Sequence, residues 1–194
     1  MELLVAPKKK VAYRADIDGL RAVAVALVVL SHLGIPHMLG GFIGVDIFFV
    51  ISGYLITGNI AREIASGKFS ILDFYERRFR RIVPALIGVL TATTVLAYLV
   101  FLPQELVRYA HSLLAALFSY SNLYFYSRNL GYFGVTYSNI LLHTWSLGVE
   151  EQFYLFIPIG MLIAATRANG MRWMIGVAAS ASFLLAAYMA FRNQ

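Results

Sequence analysis

Long apolar stretches alternate with short basic or polar ones along this chain, and the lengths of the apolar stretches suggest its architecture. Ala22 to Leu30 is an unbroken apolar run with Arg21 at its entrance and His32 near its exit. A bilayer core needs about 20 apolar residues in a helix, so this run spans only if Asp18 to Gly34 is helical and sheltered by neighbours. Gly40 to Ile60 is the second candidate, with Asp46 inside it. Ile82 to Leu102 is the cleanest, 21 residues without a charge. Tyr109 to Tyr126 is aromatic-rich and fits either a span or an interfacial helix. Asn139 to Thr166 begins polar, around His143 and Glu150, and ends strongly apolar; Trp173 to Phe191 is the last run. The pattern predicts an all-α fold: a polytopic transmembrane helical bundle of about five to six spans, without internal repeats. Residues 1–16 form a basic tail, and residues 17–194 form one transmembrane domain.

Composition agrees with the pattern. Of 194 residues, 60% are hydrophobic and 13% charged, and mean hydropathy is +0.72. Soluble domains carry about 25% charged residues, so this chain has too little polar surface for a water-facing exterior. The opening MELLVAPKKKVAYRA is basic and is not followed by a cleavage signal, so the first run reads as retained. Cysteine is absent, which removes disulfides, thiolate metal sites and a cysteine thioester intermediate.

Charge then sets an orientation. The net charge of +6 comes from 16 Lys and Arg against 10 Asp and Glu. These cations sit in blocks between apolar runs, which favours cytoplasmic loops over a nucleic-acid surface. Ala61 to Arg81 holds Arg62, Lys68, Arg77, Arg78, Arg80 and Arg81; the tail holds Lys8, Lys9, Lys10 and Arg14; Ile35 to Leu39 holds no formal charge. Both basic segments belong in the cytoplasm, with a hairpin of two spans between them. Beyond Leu102 the rule conflicts with itself. If every candidate spans, Arg128 and the Arg167/Arg172 pair face opposite sides, so one of the last candidates is re-entrant.

Four segments carry candidate chemistry. Arg21 and His32 are three helical turns apart, sharing a face with roughly 16 Å between their backbones. A base and a cation on one stripe suit an extended anionic co-substrate; equally, Arg21 snorkels to the headgroups and His32 marks the far interface. Asp46 at membrane depth needs a partner or a cavity, so it is either catalytic or paired to Arg21 or His32. Gly41, Gly44, Ser52 and Gly53 would let another helix approach it closely. In YERRFRRIVPAL the arginines directly before a span form a cytoplasmic anchor, a phosphate-binding rim, or both. In HTWSLGVEEQFYL a helix would align His143, Leu147, Glu150 and Tyr154. Glu150 and Glu151 there mark a functional site or a solvated helix entrance.

Together these segments resemble the acyltransferase-3 family of membrane acyltransferases, which includes bacterial O-acetyltransferases of surface polysaccharides. The matching pieces are DGLRAVAVALVVLSHLG, GGFIGVDIFFVISGYLIT, FYERRFRRIVPAL and LLHTWSLGVEEQFYL, in that order, covering roughly Tyr13 to Ile163. The resemblance implies transfer of an acyl group, usually acetyl, from acyl-CoA to a sugar hydroxyl of O-antigen, exopolysaccharide or peptidoglycan. Acyl-CoA is then a co-substrate, with no permanently bound cofactor. The partners are a carbohydrate or lipid-linked glycan and membrane lipids, and the location is a bacterial inner membrane with the N-terminus cytoplasmic. Carried over by position, His32 is the catalytic histidine, with Glu150 and Asp46 as further catalytic positions. Arg21, Arg77, Arg78, Arg80 and Arg81 would bind the co-substrate, and His143, Trp145 and Tyr154 the acceptor. Members of the family have about ten spans, so this chain reads as an N-terminal part.

Rival readings have their own signatures. A soluble-loop lipid acyltransferase needs His and Asp separated by four residues, and none of His32, His37, His111 and His143 has that partner. A G-x-S-x-G elbow is absent. A transporter would use the buried Arg, His, Asp and Glu as a substrate or proton path, giving flux without chemistry.

Overall fold

The computed structural model describes residues 14–33, 40–128 and 139–192. The lysines of the tail, and Pro36 and His37 in the connection expected on the far side, lie outside the described residues. Seven helices form among the described residues, joined by short turns. Helix α1 is Ala15–His32, α2 Ile43–Ala65, α3 Ile71–Val100 and α4 Pro103–Leu117. Then come α5 Ser121–Ser127, α6 Thr144–Ala165 and α7 Gly170–Arg192.

Local chemistry sets the ends of these helices. Asp16 and Asp18 lie in the first turn of α1 and His32 in its last, each complementing the helix dipole. Arg14 donates to both oxygens of Asp16, from Nη2 at 2.6 Å and from Nε at 2.9 Å. That contact, on the exposed surface, lowers the Asp16 carboxyl to about 2. Helix α2 stops at Gly67, whose φ of 64° is open to a residue without Cβ. There the Lys68 and Gly67 amides close on the carbonyls of Glu63 and Ile64. Ser70 caps α3 by accepting from the Asp73 amide at 3.3 Å. Pro103 opens α4, and Glu105 reaches back to the Leu102 amide at 2.9 Å.

Among the described residues, four helices are long and apolar enough to cross a bilayer: α2, α3, α6 and α7. The sequence pattern pointed to five or six, and the difference lies in two places. Helix α1 carries Asp16, Asp18 and Arg21 in its first two turns, which leaves a short apolar remainder. Tyr109 to Tyr126 is broken in the middle. Ser119 takes φ 56°, and the Ser119 and Tyr120 amides close on the carbonyls of Ala116 and Ala115, so α4 ends there and a separate short α5 follows.

The chain divides into two compact units, residues 1–55 and 56–194. In the first, Gly41 and Gly44 lie against the backbone of α1. A Cβ on Gly41 would strike the Leu27 carbonyl oxygen, and one on Gly44 that of Ala24. Ala24 is completely buried. The small residues expected to permit close helix approach do so at these two positions.

Among the described residues, the second unit has two cores. Ile56 and Ile60 from the end of α2, Phe74 of α3, and Tyr154 and Met161 of α6 form one. Leu90 and Ala97 of α3, Tyr109 and Ala116 of α4, and Leu141 form the other. Helix α5 is tied to α6 by polar contacts. Ser121 donates to the Thr144 carbonyl at 2.7 Å, and the Asn122 and Gln152 amides exchange hydrogen bonds at 3.1 and 2.9 Å. Outside these cores large apolar side chains remain uncovered, such as Leu99 and Val100 of α3 and Phe183 and Leu184 of α7. Burying one such side chain is worth about 1.5–3 kcal/mol. Uncovered along whole helices, they form the surface a bilayer covers.

Candidate functional site

The first unit carries Arg21, His32 and Asp46. Helix α1 is continuous across Arg21 and His32, so the three-turn spacing holds in the structure. The Nδ1 of His32 lies 2.8 Å from the Val28 carbonyl oxygen, one turn back. A carbonyl can only accept, so that contact places the ring proton on Nδ1. Neutral His32 then carries its lone pair on Nε2, as a base requires. Arg21 is half-buried, with Nη1 3.6 Å from Asp18 Oδ1 on its own helix. Its Nε is buried without a hydrogen-bond partner among the described residues. Such an N–H costs about 1–3 kcal/mol while it stays unmet, and an anion would meet it. Asp46 lies exposed in the first turn of α2.

The second unit sorts the arginines of α3 by direction. Arg77, Arg78 and Arg81 line a cleft of about 200 Å³ with Asn59 and Glu63 of α2, over a floor of Ile56, Ile60 and Phe74. Positions 77, 78 and 81 fall on one side of a helix by their i, i+1, i+4 spacing. Arg77 Nη2 reaches Glu63 Oε2 at 3.2 Å. Arg80 points elsewhere: it is exposed and pairs with Glu76 one turn back at 2.7 Å. An exposed pair of this kind contributes about 0–1 kcal/mol. Arg80 is thus the anchor-like member of the block, and the cleft belongs to its three neighbours.

Arg78 faces α6. Its guanidinium carbon lies 4.3 Å from the centroid of the buried Tyr154 ring and 5.8 Å from that of Phe74. A cation so placed gains on the order of 1 kcal/mol from the rings. The Tyr154 hydroxyl donates to Glu150 one turn back, so the alignment expected of Glu150 and Tyr154 on one helical face is observed. Next to it, Glu151 has an oxygen buried without a hydrogen-bond partner among the described residues. His143 and Trp145 sit at the start of α6, His143 exposed at the N-cap and Trp145 half-buried. Glu150 lies seven positions beyond His143, about 10 Å along the helix.

Sequence reasoning overlooked three contributors. Asn59 and Glu63 come from the last turns of α2, where an i, i+4 pair opposite a basic block was the available signal. Tyr75 donates to the Leu155 carbonyl at 2.7 Å and so ties α3 to α6. That contact is eighty positions apart in sequence and has no local signature.

Known proteins share much of this chain. The acyltransferase-3 family model, described as an acyltransferase domain, matches residues 14–194. A provisionally named O-acetyltransferase of Staphylococcus aureus strain MSSA476 is 39% identical over 169 residues, covering 87% of this chain and 28% of that protein. The O-acetyltransferase OatA of Staphylococcus aureus strains NCTC 8325 / PS 47 and COL is 40% identical over 148 residues, covering 76% of this chain and 24% of OatA. The chain therefore spans about a quarter of the length of these curated relatives. No solved structure matches it significantly.

Proposed function

Because this chain belongs to the acyltransferase-3 family, we propose that it serves a membrane enzyme transferring an acyl group, usually acetyl, from acyl-CoA to a hydroxyl of a cell-surface carbohydrate. The observation that carries the reading is α1, where a buried arginine N–H without an acceptor among the described residues and a histidine with its lone pair on Nε2 share one continuous helix.

The chemistry asks little beyond positioning and one proton transfer. A sugar hydroxyl oxygen attacks the thioester carbonyl carbon while His32 Nε2 takes its proton. The tetrahedral intermediate collapses, the C–S bond breaks, and the CoA thiolate leaves. The imidazolium returns its proton to that sulfur, giving the ester and free CoA. General base catalysis of this kind is worth about 10²–10⁴-fold, and holding the thioester in place supplies much of the rest. The test is release of CoA and appearance of acetylated glycan in membranes given acetyl-CoA. Movement of acetyl-CoA or glycan across the membrane without ester formation would replace the enzyme with a transporter.

On this reading the CoA phosphates would be held by Arg21 on α1, by the cleft of Arg77, Arg78 and Arg81, or by both. Lysine keeps the charge but loses the planar fork. Apparent acyl-CoA affinity should fall several-fold for Arg21→Lys, and less for Arg77→Lys, whose guanidinium is already engaged by Glu63. A loss confined to Arg77→Lys or Arg78→Lys would move the phosphate clamp to the cleft. Equal affinity in all three would remove guanidinium geometry from both.

The lengths of the helices also support an orientation. With α4 and α5 too short to cross, α3 leaves the cytoplasm and α6 returns to it. The Arg167/Arg172 pair then shares the cytoplasmic side with Arg62 and Arg81, while Arg108 and Arg128 lie on the other side. Single cysteines at positions 62, 81 and 167 should label from the cytoplasmic side, and one at position 36, ahead of α2, from the other. Labelling of position 36 only after the cytoplasmic face is opened would reverse the orientation.

A further inference from the structure

At the end of α3 remote from the arginine cleft lies a second cavity, of about 510 Å³. That is within the roughly 300–1,000 Å³ usual for small-molecule sites. Phe101, just past the end of α3, lines it, and Arg81 lines the other cleft. Twenty positions of helix separate them, about 30 Å, which is the thickness of a hydrocarbon core. Helix α4 contributes Glu105, Arg108 and Tyr109, one face by their i, i+3, i+4 spacing. Tyr124 and Arg128 come from α5 and its C-cap, and Asn139 from the segment before α6.

The engaged groups narrow what this cavity can hold. The Glu105 carboxylate accepts the Leu102 amide at 2.9 Å, which commits its charge to the start of α4. The Tyr109 hydroxyl is bonded to Thr94 Oγ1 at 2.8 Å, so Tyr109 offers its ring, edge-on to Phe101 with centroids 6.2 Å apart. Asn139 Oδ1 accepts the Leu141 amide at 3.2 Å, which leaves its NH₂ to donate. The Arg128 guanidinium lies 5.9 Å from the centroid of the Tyr124 ring. Arg108 and Arg128 make the lining positive and rich in donors, and Phe101, Tyr109 and Tyr124 make it aromatic. Guanidinium forks match carboxylate and phosphate oxygens, and aromatic rings give flat apolar area for the C–H face of a pyranose.

We propose that this cavity binds an acidic saccharide, a sugar ring bearing a carboxylate or phosphate, on the side of the bilayer opposite the arginine cleft. Its role as the acyl acceptor rests on the function proposed above; the binding itself does not.

The test is calorimetric binding to the full chain in phosphatidylcholine nanodiscs. Three oligosaccharides of equal length serve as probes: an oligoglucuronate, its carboxyl-reduced neutral counterpart, and a phosphorylated one. The acidic probes should bind about tenfold tighter than the neutral one, and Arg108→Gln and Arg128→Gln should each remove about tenfold of their affinity. Tighter binding of the glucuronate or of the phosphorylated probe identifies which anion is preferred. Arg167→Gln, in the exposed turn after α6, should change nothing. Arg108→Lys and Arg128→Lys cover the case of a glutamine variant that misfolds, and should lose only a few-fold by keeping the charge without the fork. Equal binding of acidic and neutral probes, or indifference to all four substitutions, would overturn the site. So would displacement of the saccharide by phosphatidylglycerol in the nanodisc with the same arginine dependence, which would make it a lipid-headgroup pocket. Saccharide binding without any acetyl transfer would instead leave this site standing and remove the enzymatic reading.

Discussion

His32→Ala is expected to lower acyl transfer by about 10²–10⁴-fold, the range over which a positioned base accelerates a reaction. Expression and insertion should be unchanged, because His32 is exposed at the last turn of α1 and covers no part of a core. His32→Asn is the sharper variant. Its amide can still donate to the Val28 carbonyl, as Nδ1 does now at 2.8 Å, but it has no basic lone pair. The base reading therefore expects Asn to be as inactive as Ala. An Asn variant retaining most of the rate would mean that His32 acts by holding the end of α1, and the proton would need another acceptor. The measurement is initial rate of ester formation at saturating acetyl-CoA, with the amount of inserted protein matched.

Gly44→Val should strongly destabilise the first unit. A Cβ at that position would collide with the Ala24 carbonyl oxygen and lie 2.8 Å from Val28 Cγ2. Backbone cannot rotate aside as a side chain can. Overpacking of this kind costs about 1–3 kcal/mol, and more where backbone must move. Gly58, in the same helix, has nothing within 4 Å of its Cβ position, so Gly58→Ala should be neutral or slightly stabilising through helix propensity. Thermal unfolding in detergent separates the two, with Gly44→Val expected several degrees or more below wild type. A Gly44→Val protein as stable as Gly58→Ala would show that α1 and α2 do not depend on that contact. Since Arg21 and His32 ride on α1, loss of activity should accompany loss of stability in Gly44→Val but not in Gly58→Ala.

The arginine block shows how far charge patterning can be read locally. Four arginines within Arg77 to Arg81 read in sequence as one cationic block. Packing divides them: Arg78 turns onto the Tyr154 ring, Arg77 takes Glu63, and Arg80 takes Glu76 at the surface. A substitution at Arg80 therefore tests anchoring, and one at Arg78 tests the joint between α3 and α6.

Several features of this protein were decided by its sequence alone. Apolar run lengths of bilayer size, few charges and the arginine block before Ile82 specify a helical membrane bundle, because hydrogen-bonding the backbone inside lipid leaves a single chain few alternatives. The Arg21–His32 register is likewise local, a consequence of helix pitch, and it survives in α1. Tertiary structure decided the rest. Whether Tyr109 to Tyr126 spans turned on one left-handed residue, Ser119, and on the carbonyls its neighbours close upon, which hydropathy does not register. The pairing of Arg78 with Tyr154, the tie from Tyr75 to Leu155, and the cavity shared by Phe101, Arg108 and Arg128 join positions that are distant in sequence. Their formation depends on which helix faces pack together. A periodic apolar pattern shows that a helix has a face to bury without specifying its partner, and that choice is made by the shapes of side chains meeting across the bundle.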